Sequence, residues 1–171
     1  MVFIPYGFFT TVRSSVVQTT AERKSAMTHS DKGNYAGRHP SAEEANETVI
    51  QAVRNTARDG TISCAAAHTI AYTCAVSPEK AGRAIDAAEV RIAHCQLGIF
   101  KHSTDRPAAP AEPALPPGLE EYLSTLLVNG RLPCRAAWSV ADRFNLSRLQ
   151  IGAACDRLGI KISDCQLGTF R

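Results

Sequence analysis

The sequence predicts a mainly α-helical fold with small β-hairpins, built twice in tandem. Three observations predict it. First, CQLGIFK at Cys95–Lys101 returns as CQLGTFR at Cys165–Arg171, 70 positions later. At that ungapped offset 15 of the 41 positions from Gly60 to Phe100 are identical to their partners, so each copy filters the other for residues that serve the fold or a shared chemistry. Second, apolar residues recur at helical spacing ahead of each CQLG, as at 137, 140, 141 and 144. Third, short alternating runs, Val90-Arg-Ile92 and Ile160-Lys-Ile162, follow the helical stretches and read as strands.

The chain then divides into a tail at 1–40, copy one at 41–102, a linker at 103–117 and copy two at 118–171. The tail is Ser/Thr-rich, mixed in charge and without periodicity, which is the signature of disorder. Either Met1 or Met27 serves as the start. The opening MVFIPYGFF is too short, and lacks the basic flank, for a secretory signal. No segment reaches the roughly 18 apolar residues of a membrane span. A cytoplasmic location is expected, where six cysteines are thiols or metal ligands rather than disulfides.

In copy one, Ser41-Ala-Glu-Glu44 reads as a capping box opening a helix that runs to about Arg58 and stops at Asp59-Gly60. The equivalent helix of copy two starts near Gly118 and stops at Asn129-Gly130. Ile62 and Leu132 fall in short strands. A helix over Ala136–Phe144 is followed by Asn145, which tolerates the left-handed conformation of a tight turn. Leu146 is an apolar plug, Ser147 an N-cap, and Arg148–Leu158 a second helix. Copy one matches at Ala71, Val76, Ser77 and Ala81, adds Pro78 at the first helical position, and departs at Ala75 in the turn. After the strands, CQLG supplies a turn, and Ile99-Phe100 or Thr169-Phe170 returns to complete a hairpin. The linker carries five prolines in the 11 residues Pro107 to Pro117. As extended polyproline II at about 3.1 Å per residue, its full length spans up to roughly 45 Å.

This order of elements resembles the winged helix-turn-helix of DNA-binding proteins, in two tandem copies. The resemblance rests on the small Ala141 at the helix crossing, Asn145, Leu146, Ser147 and Ile151. It covers about 44–101 and 119–171. It implies a transcriptional regulator that binds double-stranded DNA, its second motif helix entering the major groove. Carried over position by position, the groove-facing candidates are Arg148, Gln150, Ala153 and Arg157 in copy two, and Glu79, Lys80, Arg83 and Asp86 in copy one. Arg reads guanine and Gln adenine. Arg135 and Arg143, on the preceding helix, are candidates for phosphate contacts. Copy two is the more basic. The linker's reach exceeds the roughly 34 Å between successive major grooves, so both copies fit one duplex face.

A net charge of +3 permits nucleic acid binding without arguing for it. The alternative is a protein-interaction or dimerisation module in which the copies pack as a pseudo-dimer. Domains this small bury only roughly 60% of their unfolded surface, so mutual docking would help them. Gly82 and Gly152, inside helices, point to close approach of another backbone. Cys74 and Cys155 have apolar counterparts and read as core. Cys64/Cys134 and Cys95/Cys165 are kept in both copies, and three readings stand: packing, a redox-active thiol pair, or a four-thiolate metal site. No CxxC spacing supports the metal. No phosphate loop, HExxH or GxSxG is present, so neither an enzyme nor a cofactor is expected.

Overall fold

The computed structural model describes residues 33–38, 46–100 and 114–170. The fold is mainly helical, with small two-stranded sheets. Copy one comprises α1 (Glu47–Thr56), β1 (Thr61–Ser63), α2 (Cys64–Thr73), α3 (Pro78–Ala87) and β2 (Arg91–Ala93). Copy two repeats it as α4 (Leu119–Thr125), β3 (Arg131–Pro133), α5 (Cys134–Phe144), α6 (Arg148–Arg157) and β4 (Lys161–Ser163). Of the expected tail, residues 33–38 are described. They hold a 3₁₀ turn whose Tyr35 and Ala36 amides donate to the Glu89 carboxylate at 2.9 and 3.1 Å.

The expected capping box at Ser41–Glu44 lies outside the described residues. The described helix is capped by Asn46, whose side chain accepts from Thr48 N–H at 2.9 Å, and it buries Val49, Ile50 and Val53. It ends at Thr56, before Asp59-Gly60. Those two residues are not a helix stop. Both are left-handed, with φ of 48° and 67°, and the flanking Arg58 and Thr61 exchange two backbone hydrogen bonds of 2.9 and 2.8 Å. Two consecutive positive φ values are the requirement of a two-residue hairpin turn, which Asp-Gly and Asn-Gly meet best. Asn129-Gly130 does the same between Val128 and Arg131. The dipeptides reverse the chain into β1 and β3.

Between α2 and α3 the turn forms as expected, even with Ala75 in place of Asn or Gly. Ala75 is left-handed at φ 52°, matching Asn145 at 50°. Val76 N–H bonds Ala71 O and Leu146 N–H bonds Ala141 O, both at 2.9 Å, which satisfies carbonyls that the helix end would orphan. Ser77 and Ser147 then cap α3 and α6.

Among the described residues the expected β-hairpin does not form in either copy. β2 pairs with β1 in parallel, Ile62 opposite Ile92, and β4 pairs with β3 in parallel, Leu132 opposite Ile162. Two helices separate the paired strands, so the chain returns in the same direction. CQLG does turn: Gly98 N–H bonds Cys95 O at 2.9 Å, and Gly168 N–H bonds Cys165 O at 2.8 Å. Among the described residues no strand follows it, although in copy two the chain does return, with Cys165 N–H donating to Phe170 O at 3.0 Å. Instead each CQLG segment crosses to the other copy. Leu97, 2% exposed, sits in the copy-two core with Leu119, Leu132 and Ile151; Leu167, 3% exposed, sits in the copy-one core with Val49, Ile62 and Ile85. Burying a leucine is worth about 2 kcal/mol, whereas a minimal two-stranded hairpin is marginal in water. The exchange wins.

Candidate functional site

The conserved residues of the repeat converge where the copies meet. Gly82 and Gly152 show why. A Cβ at Gly82 would lie 1.9 Å from the Leu167 carbonyl oxygen, and one at Gly152 would lie 1.8 Å from that of Leu97. The middle of each second helix is therefore covered by the backbone of the other copy's CQLG segment. This is the close approach that two helical glycines implied.

Repeat-equivalent residues also touch each other. His68 and Trp138 stack with ring centroids 4.5 Å apart, and Phe100 meets Phe170 edge to face at 6.4 Å. A residue that contacts its own counterpart lies on a local two-fold axis, so the two copies meet about such an axis. Trp138 packs against both cores. Its indole N–H is buried without a hydrogen-bond partner among the described residues.

The side chains singled out for base and phosphate contacts are distributed around this junction. The Arg148 guanidinium carbon lies 3.3 Å over the Trp138 ring, and Arg148 donates to Gln96 Oε1 of the crossing segment. Gln150 closes a capping box: its Oε1 accepts from Ser147 N–H at 2.8 Å, while Ser147 Oγ accepts from Gln150 N–H at 3.2 Å. Arg143 sits 4.5 Å over the Tyr122 ring. Arg83 pairs with Glu79 at 3.2 Å. Lys80, Arg135, Arg143, Gln150 and Arg157 are exposed, and Arg148 is half-buried. Arg148, Gln150 and Arg143 are thus brought into intramolecular contacts. A shallow depression of about 400 Å³ beside Arg148 is lined by Gln96, Asp142, Leu146 and Leu149.

The four cysteines kept in both copies lie near enough to act on one another. Cys64 and Cys134 are the first residues of α2 and α5, both buried. Gln96 Nε2 donates to Cys64 Sγ and Gln166 Nε2 to Cys134 Sγ, each at 3.7 Å. One glutamine thus ties the copy-one thiol to Arg148 of copy two. Cys64 and Cys95 act on each other, and their titrations part. The neighbouring Cys95 thiol, then burial, pushes Cys64 up to about 12. The Cys64 thiol, with the backbone amides of Leu97 and Ile99, pulls Cys95 down to about 7 against its burial. Burial first, then the nearby Cys165 and Cys64, push Cys134 up against the opposing hydrogen bonds of Gln166. Cys155, buried in the copy-two core, is pushed up to about 11 by that burial and by Asp156. Cys74 packs beside the copy-one core. Among the described residues no group of three or more His, Cys, Asp or Glu is placed to hold a metal ion.

Comparison with protein-family models, curated proteins and solved structures finds no match. Among the described residues no helix is long and apolar enough to cross a membrane. The crossing of the CQLG segments, and the parts played by Gln96 and Trp138 in it, were not anticipated from the sequence. The available signal was that Gln96, Leu97 and Gly98 are an identical run in both copies.

Proposed function

We propose that the chain is a protein-interaction module: a covalent pseudo-dimer of two winged-helix-like units in which the wing is replaced by the exchanged CQLG segment. The observation that carries this reading is the use of Arg148. Its guanidinium is stacked on Trp138 and bonded to Gln96 across the copy junction, where a base-reading helix would present it outward. The charges along α3 also balance, with Glu79 and Asp86 against Lys80 and Arg83. Tyr72 of α2 supplies an anchor. It is 87% exposed, and tyrosine is enriched among the residues that dominate protein interfaces.

A photo-reactive residue at position 72 is expected to give a discrete protein adduct in a lysate of the source cell, and one at exposed Asn55 none. Equal labelling at both sites, or no labelling, contradicts the reading. DNA binding is the second reading, favoured by the exposed Lys80, Arg135 and Arg157 and by the well-formed caps of α3 and α6. Titration of mixed-sequence duplex DNA separates the two. A DNA binder weakens steeply with salt, in proportion to the phosphates contacted. The interaction module shows no binding at low salt.

A further inference from the structure

We propose that Cys95 and Cys64 form a reversible dithiol–disulfide couple, in which Cys95 attacks small-molecule disulfides of the glutathione type and Cys64 resolves the adduct. The proposal is independent of whether the units bind protein or DNA. Four features place the couple. β1 and β2 end side by side, with Ser63 opposite Ala93, so the chain delivers Cys64 and Cys95 to one end of the sheet. Gln96, the residue after Cys95, donates to Cys64 Sγ at 3.7 Å, which holds the segment carrying Cys95 against Cys64. Cys95 is half-buried, while Cys64 is buried. The backbone amides of Leu97 and Ile99 favour the Cys95 thiolate.

The chemistry balances within this set. Cys95 thiolate attacks one sulfur of the incoming disulfide, forming a mixed disulfide and expelling one thiolate. Cys64 then attacks the Cys95 sulfur and expels the second. Two electrons pass from the protein dithiol to the reagent, and the two protons leave on its two thiols. The Cys64 proton is the difficult one, because its thiol is held protonated chiefly by the neighbouring Cys95. That hold ends once Cys95 is capped, and His68 then favours the Cys64 thiolate. Cys64 and Cys134 are the titratable groups that bear on Cys95; Cys95, His68 and Cys134 are those that bear on Cys64. The product stitches the root of the crossing segment to the start of α2.

The full chain is tested by timed alkylation with mass mapping, then by titration with oxidised glutathione. Cys95 is expected to label about tenfold faster than Cys64 and Cys155 at pH 7, with a rate that rises through pH of about 7. Oxidation should yield a Cys64–Cys95 crosslinked peptide. The Cys64→Ser variant should stop at the mixed glutathione adduct on Cys95 and shift the alkylation midpoint upward. Uniform labelling rates in the native chain overturn the proposal without any variant. So does a crosslink from Cys95 to Cys134, or protection of all four thiols by co-purified zinc or iron that a chelator removes.

Discussion

At the scale of single residues, the same amino acid has opposite value depending on what lies across from it. Glycine inside a helix costs about 1 kcal/mol relative to alanine, so propensity alone predicts that Gly152→Ala stabilises. The Leu97 carbonyl reverses the sign, because a methyl 1.8 Å from a backbone oxygen fits only if the crossing segment moves. Gly82→Ala meets Leu167 in the same way. Each substitution is expected to cost about 1–3 kcal/mol in urea unfolding, and a neutral or stabilising result would deny the close approach. Duplication made these glycines legible as packing demands. It did not say whose backbone approached, because sequence offset carries no information about which copy supplies a neighbour. Arg148 misled for a related reason. Its position on the second motif helix is that of a base reader, and only Trp138 and Gln96, one from each copy, show how its charge is used.

At the scale of elements, local chemistry fixed most of the helices and turns. Ser147 and Gln150 cap α6 reciprocally, whereas Ser77 has only the Lys80 amide, at 3.3 Å. Ser147→Ala is therefore expected to cost about 1 kcal/mol in thermal or urea unfolding, and more than Ser77→Ala. Equal costs would mean that the reciprocal bond adds nothing. Ala75 stands left-handed without the tolerance that Asn145 has. Ala75→Gly should raise stability by about 0.5–1 kcal/mol; a loss would place the strain elsewhere. The hairpin was misread because β2 is followed by a turn and then an apolar pair, which is the local pattern of a returning strand. What decides otherwise is non-local: β1 supplies a parallel edge for β2, and the other copy offers Leu97 a buried site. Asp59-Gly60 shows the same ambiguity at shorter range, since a Gly that ends a helix and a Gly that turns a hairpin both require positive φ.

At the scale of the whole molecule, reciprocal exchange makes the two copies one cooperative unit. Neither core is complete from its own repeat, as each takes its leucine from the other. Aromatic pairs on the local two-fold axis and the shared Trp138 bind the junction further. A chain whose units are each too small to bury much surface alone gains from this arrangement. The four paired thiols and Arg148 lie at the same junction. Chemistry there would be felt by both copies at once.

Hydrogen exchange in the Leu97→Ala variant tests the exchange most directly. The substitution lies in copy one, yet it removes a side chain from the copy-two core. A buried leucine cut to alanine costs about 2–5 kcal/mol. The account predicts that α4, α5 and α6 lose protection first, with α1 and α2 loosened less. Loss of protection confined to residues 47–93, with copy two unchanged, would contradict it.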